Sequence, residues 1–307
     1  MNLAPRRGNR AGREKAGVGT VARYARPRSL DEALGLLAEA HWRVLSGGTD
    51  FYPALGAAPL RDDVLDISAL AELRGISTTA THFAIGGLTS WAEIAAAPLP
   101  PAFDALKLAA REVGSVQIQN RATVAGNLCN ASPAADGVPP LLVLDAEVEL
   151  RSATGMRTLP LSRFILGNRR TALAPDELLT AIRIPRASAA GGSGFVKLGA
   201  RRYLVISIAM AAARIAIGAG GRIEAAAVSV GACSPVAVRL AELEAELAGR
   251  PADAALAEIV QPRHLAALSP IDDVRASAGY RLDAAREIVA RALLMAAGRQ
   301  PASEAAA

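Results

Sequence analysis

Two short stretches of the chain combine glycine, hydroxyl and amide residues at spacings that suit a polar, phosphate-bearing ligand. The first is SGGTDFY, residues 46–52, directly after the apolar WRVL. A strand followed by two glycines predicts a tight turn with outward-pointing backbone N–H groups, a natural anion cradle. No Lys or Arg lies in this heptad, and Asp50 puts a negative charge where a phosphate would sit. The second stretch is QIQNRATVAGNLCNASPAAD, residues 117–136, read as a loop with a small-residue turn at Ala125 and Gly126. Asn120, Thr123, Asn127, Asn130 and Ser132 crowd neutral hydrogen-bonding groups around that turn, and the stretch ends at Pro133 and Asp136. Small residues let a ligand approach the backbone, while hydroxyls and amides donate without a full charge. Taken singly, the second stretch also reads as a surface loop held by Asx-turns. Paired with SGGTD, about 80 residues away, it suits a diphosphate with a polyol stem, neutralised by backbone dipoles rather than lysines. Asp50 then caps the turn or the FYPAL segment, or accepts from a ligand hydroxyl.

Other chemistries find no motif. There is no G-x-x-x-x-G-K-[ST], no G-x-S-x-G and no H-E-x-x-H. GVGTVA (17–22) matches G-x-G-x-x-A, but the residues before it are polar and basic rather than an apolar strand. Cys129 and Cys233 are far apart with no C-x-x-C, and His41, His82 and His264 are scattered. No zinc or iron–sulfur spacing exists, so metal chemistry belongs to another chain, and both cysteines read as buried small hydrophobes.

The elements that would position the two stretches follow from capping and periodicity. PRSLDEALGLLAEA (27–40) predicts a helix with Ser29 and Glu32 as a capping box and Leu30, Ala33, Leu34 and Leu37 on one face. WRVL (42–45), VLDIS (64–68) and HFAIGG (82–87) read as strands, and TSWAEIAAA (89–97) as a helix opening at Thr89 or Ser90. ASAAGGSG (187–194) is small and uncharged, which predicts a domain linker. Beyond it come FVKLGARR, a strand at IEAAAVSVGA (223–232), a helix at 237–249 closed by Gly249, and a long helix over 272–298.

The chain has 307 residues, 51% hydrophobic and 21% charged, enough for two globular domains. Its net charge of +5 is local: residues 1–30 hold eight basic residues against Glu14 alone, leaving the rest at −2. The basic segment reads as a solvated arm rather than a nucleic-acid reader. The most apolar stretch, YLVISIAMAAA (203–213), is too short to span a bilayer, and the first 20 residues lack an apolar signal region. A cytoplasmic protein is expected.

In this order the motifs resemble a known family. VLSGGTDF is similar to the first FAD loop of the FAD-binding (medium) subunits of molybdenum hydroxylases of the xanthine dehydrogenase and carbon monoxide dehydrogenase type, and QNRATVAGNLCNASPAAD to their second loop. FVKLGARR with VISIAMA, and IDDVRASAGYRLDAAREIVARALL, resemble segments of their C-terminal part, so the likeness runs from about Tyr24 to Gly298. The resemblance implies an α+β fold: a two-subdomain FAD-binding domain of the vanillyl-alcohol-oxidase (PCMH) type over 21–187, then a smaller α+β domain over 195–298. Residues 1–20 form a basic tail, 188–194 the linker and 299–307 a frayed end. It further implies FAD on this chain, with two-iron two-sulfur clusters on a small partner and molybdopterin on a large one. In such a heterotrimer electrons pass from the clusters through FAD to an acceptor. Carried over by position, Val44, Leu45, Ser46, Gly47, Gly48, Thr49, Asp50 and Phe51 wrap the diphosphate and ribityl region. Thr123, Val124, Ala125, Gly126 and Asn127 form a second wall, Asp136 bonds FAD hydroxyls, and Val113 and Leu179 pack on the cofactor. Lys197 matches a lysine near the flavin and would offset its negative charge; a solvated surface lysine is the plainer reading, weakened because the chain has only Lys15, Lys107 and Lys197. Three features depart from the family pattern: Ala125 in place of glycine, an aliphatic Val113, and Tyr203 after the Arg pair, where relatives control acceptor access. A stand-alone flavin oxidoreductase and a structural subunit on a degenerate flavin fold are the alternatives. Substrate and acceptor stay open.

Overall fold

The computed structural model describes residues 22–202 and 204–298. The basic tail, all of GVGTVA but its last residue, Tyr203 and the C-terminal end lie outside them. Three β-layers follow in chain order. The first is a parallel three-stranded sheet, β1 (Tyr24–Ala25), β2 (Arg43–Leu45) and β3 (Val64–Asp66), in the order β1-β3-β2. Helix α1 (Leu30–Glu39) crosses between β1 and β2 and buries Leu30, Ala33, Leu34 and Leu37 with Trp42, Leu65 and Leu88. Ser29 Oγ accepts from Glu32 N, as the capping box requires, but the Glu32 carboxylate takes the N–H of Arg28 instead of that of Ser29. α2 (Phe51–Leu55) follows directly on the glycine turn after β2.

The second layer is an antiparallel sheet of β4 (Ile76–Thr78), β5 (His82–Gly86), β6 (Glu147–Ser152), β7 (Gly155–Pro160) and β10 (Leu178–Pro185), ordered β4-β5-β10-β6-β7. A small hairpin, β8 (Ile165–Gly167) with β9 (Arg170–Thr171), lies beside it in sequence. The helices of this unit are α3 (Trp91–Ala96), α4 (Asp104–Glu112), α5 (Val116–Arg121), α6 (Val124–Asn130), α7 (Val138–Val143) and α8 (Leu161–Phe164). Trp91, Phe103, Leu106, Leu128, Leu141 and Ile182 share its core. α3 opens at Ser90 with a complete capping box to Glu93, an arrangement whose Ser is worth about 1 kcal/mol. Residues 117–136, expected as a loop, are mostly helical: Ala125 and Gly126 sit in the first turn of α6, with Thr123 as its cap.

The third layer is antiparallel, β11 (Gly192–Leu198), β12 (Ala209–Ile217), β13 (Ile223–Gly231) and β14 (Val238–Arg239), with α9 (Ala241–Leu247) and α10 (Ala278–Ala296). Alternation along β12 sends Ala209, Ala211, Ala213 and Ile215 into the core with α10, and Met210 and Ala212 into a smaller core with Ala105, Ala109 and Val143 of the preceding unit. Alanine on both faces lets helices close in from two sides.

Three expectations change here. The expected linker 188–194 is the end of a short 3-10 turn and the start of β11, and Ser193 is buried, accepting from Ala105 N at 2.8 Å. Its small residues serve close packing: a Cβ on Gly192 would lie 2.6 Å from Ala296 O, and one on Gly194 2.5 Å from Met295 Cβ. The helix expected from 237 begins at Ala241, because Val238 and Arg239 pair with β13. The helix expected from 272 begins at Ala278, because Asp273 Oδ1 takes the N–H groups of Arg275 and Ala276 in a side-chain turn.

Candidate functional site

β2 ends at Leu45, whose side chain is buried in the protein, and the chain then turns through Ser46–Asp50 into α2. Among the described residues, the backbone N–H groups of Gly47, Gly48, Thr49 and Asp50 have no acceptor. Gly48 has φ +79°, a conformation that glycine adopts without strain. Gly47 packs against the backbone of the neighbouring segment: a Cβ there would lie 2.0 Å from Arg121 O. Asp50 occupies the N-cap position of α2 in a helical conformation and makes no capping hydrogen bond, so the expected capping role is not taken. Its exposed side chain lines the cavity mouth instead. Arg43, not among the expected site residues, also lines this wall, its guanidinium 4.5 Å over the Phe51 ring and 3.4 Å from Asp62 Oδ2.

The facing wall is the start of α6. Thr123 caps it, its Oγ1 accepting from Gly126 N at 3.1 Å. Val124 N donates to Thr89 O, Ala125 N to Gly87 O and Asn127 N to Thr123 O. The expected set of free backbone donors is therefore absent from this wall, because every amide from 124 to 127 has a protein acceptor. Val124 itself is fully buried in the core and does not line the cavity. The residues of this wall that line the cleft are Ala122, Thr123, Ala125, Gly126, Asn127, Cys129 and Asn130. The walls join where Ser46 Oγ and Thr123 Oγ1 lie 3.3 Å apart.

Between the walls lies an open cleft of about 490 Å³, within the usual range for small-molecule sites. Val44, Ser46, Gly47, Gly48, Thr49, Asp50, Phe51, Val113, Leu179 and the four small or polar residues of α6's start all line it. Among the described residues, Arg43 and Asp50 are its only charged lining groups, so the lining is close to neutral. Among the described residues, Trp91 Nε1 and Asn127 Oδ1 are buried polar atoms without a partner. Cys129 also borders the cleft rather than only filling core, and burial pushes its thiol up to about 12, so it is a protonated wall group.

Asp136 and Lys197 do not line the cleft. Lys197 Nζ lies 2.6 Å from Asp136 Oδ2, and Ser207 Oγ donates to Asp136 Oδ1 at 2.7 Å. Burial pushes the Asp136 carboxyl up, opposed by the charge and hydrogen bonds of Lys197 and Ser207. Each Asp136 oxygen thus already accepts a hydrogen bond from within the protein. Lys197 is neither a surface lysine nor a cavity cation. It also reaches Glu112 O, next to Val113 of the lining, so it braces the cleft from behind across the joint with β11.

Residues 19–187 match the model for the FAD binding domain in molybdopterin dehydrogenase, and residues 195–296 that for the CO dehydrogenase flavoprotein C-terminal domain. The nicotinate dehydrogenase FAD-subunit of Eubacterium barkeri is 38% identical over 190 residues, 59% of this chain and 64% of that relative, a little under two thirds of its length. Caffeine dehydrogenase subunit beta of Pseudomonas sp. (strain CBB1) is 32% identical over 290 residues, 91% of this chain and 96% of the relative. The crystal structure of quinoline 2-oxidoreductase from Pseudomonas putida 86 superposes with a TM-score of 0.81 at 25% identity, covering 91% of this chain and 97% of that one.

Proposed function

The chain belongs to the family of FAD-binding domains of molybdopterin dehydrogenases, and from that premise we propose that it is the flavin-carrying subunit of a molybdenum-dependent hydroxylase or dehydrogenase. Its partners are an iron–sulfur chain and a molybdopterin chain, in a heterotrimer or a dimer of heterotrimers. When bound, FAD supplies the redox chemistry, accepting electrons from the partner's clusters and delivering them to an acceptor.

The observation that carries this reading is the first wall. Four consecutive amides without an acceptor among the described residues, in a nearly neutral lining, fit a tightly held diphosphate better than a loosely exchanging nucleotide. Gly47, Gly48, Thr49 and Asp50 would hold the diphosphate through their N–H groups. Ser46 and Thr123 offer hydroxyls where the walls meet, and Asn127 a side-chain donor. Val113 and Leu179 supply apolar surface for the ring system and exclude water from it. Lys197 and Asp136 hold the back of the cleft in place rather than touching the cofactor. Among the described residues no helix is long and apolar enough to cross a membrane; a cytoplasmic location goes with the reading and is checked by cell fractionation.

The test is to co-express the chain with an iron–sulfur and a molybdopterin partner chain, purify the assembly and quantify the flavin released on denaturation. About one FAD per copy of this chain is expected. An assembly that forms without flavin overturns the proposal.

A further inference from the structure

Asn130, an amide residue of the second stretch, lines the cleft from the last position of α6, about one helical turn beyond Asn127. Its amide oxygen is taken: Arg169, in the turn between β8 and β9, donates to Asn130 Oδ1 through Nη1. A guanidinium has only N–H groups to offer, so the contact fixes which end of the amide it meets. The NH₂ is the end that remains, and among the described residues no protein acceptor takes it. The turn is seated on the same helix end by its backbone. Arg169 N donates to Ala131 O at 2.9 Å, so Arg169 grips two consecutive residues. It is the second residue of a two-residue hairpin turn and has φ +56°, where glycine is usual and side chains are disfavoured. Glycine would serve the turn itself better. What the arginine adds is the bond to Asn130.

We propose that Arg169 is a positioning residue: by holding the Asn130 amide oxygen, it leaves the NH₂ as a fixed donor to an acceptor atom of the cofactor. The reversed amide would set NH₂ against the guanidinium, donor against donor, and would offer the cofactor an acceptor instead. The orientation matters on this wall because every backbone N–H from 124 to 127 already has a protein acceptor. Arg169 itself is exposed and does not line the cleft, so it acts through Asn130. Leu173, two residues past β9, does line it, so the hairpin that carries the guanidinium leads straight into the cavity wall. The inference rests on the FAD reading of the cleft.

The experiment measures the FAD dissociation constant of the full assembly after flavin removal, from flavin fluorescence. Arg169→Gly removes the guanidinium while the backbone keeps its φ and its bond to Ala131 O. Arg169→Met repeats the loss with a long side chain in place. Each is expected to weaken FAD binding about three- to tenfold, the effect of one positioned hydrogen bond. Asn130→Ala should weaken it at least as much, and in that background neither change at 169 should matter further. A merely structural tie, or attraction between the exposed guanidinium and the anionic cofactor, would instead weaken binding equally in both backgrounds. A loss below about threefold at 169 or at 130, or losses that add in the double variants, overturns the inference. A wild-type assembly that fails to bind FAD overturns the functional reading instead.

Discussion

Gly47–Asp50 leaves four consecutive backbone N–H groups without an acceptor among the described residues, whereas every N–H from Val124 to Asn127 already donates to a protein oxygen. With Thr123 counted in the second, the two segments are alike in composition, each with glycine, threonine and a further polar side chain. They differ in the kind of backbone each one leads into. After β2 the chain makes an irregular turn before the very short α2, so its amides point outward unpaired. At 123–127 the chain enters a helix whose exposed first-turn amides are taken by Thr89 O, Gly87 O and the Thr123 cap. One wall therefore binds with its backbone. The other is a rigid surface that offers side chains and close approach.

The sharpest break of this comparison is a pair of glycine substitutions. Gly47→Val places a branched side chain where even a Cβ would lie 2.0 Å from Arg121 O, and a backbone atom cannot step aside cheaply. It should separate the walls, misdirect the free amides and weaken FAD binding by about a hundredfold or more. Gly126→Ala brings a Cβ to 2.9 Å from Thr123 Oγ1 and 3.4 Å from Ser46 Oγ, and hydroxyls can rotate away. Its effect should stay within about tenfold. Flavin titration of both variants decides the matter. Equal losses, or a larger loss at Gly126, would mean that the amides of the first wall are not the anion site.

Behind the walls, Lys197 of β11 reaches Asp136 and Glu112 O from a different part of the chain, and it tests that brace. Its side chain is 6% exposed and that of Asp136 9%, with 2.6 Å between the charged atoms. Lys197→Met leaves a buried carboxylate unpaired and should cost about 3 kcal/mol of stability, read by urea unfolding. Adding Asp136→Asn removes the stranded charge while still accepting from Ser207, and should recover most of the loss. A single variant as stable as wild type would show that the pair is not the brace between β11 and the cleft.

Legibility in the sequence followed the range of the interactions. Caps at Ser29, Ser90 and Ser277 are local; the first is named by Ser29 with Glu32 three places on, and the second narrows to Thr89 or Ser90. The glycine turn after WRVL was equally visible, because strand, glycines and turn are contiguous. The state of the amides in 124–127 was not, since it depends on Thr89 O and Gly87 O from another element. Likewise Trp91 lies in a helix that was expected, but its ring borders the cleft only because Gly137 leaves room for it. Small residues at 188–194 were ambiguous by nature: the composition that makes a flexible linker also lets β11 touch α10. Asp136 and Lys197 were both singled out through the family resemblance, yet nothing in their surroundings along the chain shows that they pair with each other.

Arg43 gives the finest measure of how the first wall works. Sequence pattern gave no reason to single it out, as one polar residue in a short strand, yet among the described residues it is the cation of the cleft lining. It stacks on Phe51 at 4.5 Å and has a partly exposed carboxylate, Asp62, at 3.4 Å. A stacked guanidinium is worth about 0.5–1 kcal/mol at such a site, and a partly exposed charge acts on a ligand only within the Debye length of about 8 Å at physiological salt. If backbone dipoles carry the diphosphate, Arg43→Gln should weaken FAD binding only about threefold at low ionic strength, and less as salt is raised. The check is the FAD dissociation constant of wild type and variant across a salt series. A loss of about a hundredfold that persists at high salt would make Arg43 the main anion ligand, and the contrast between an amide-lined wall and a side-chain wall would have to be redrawn.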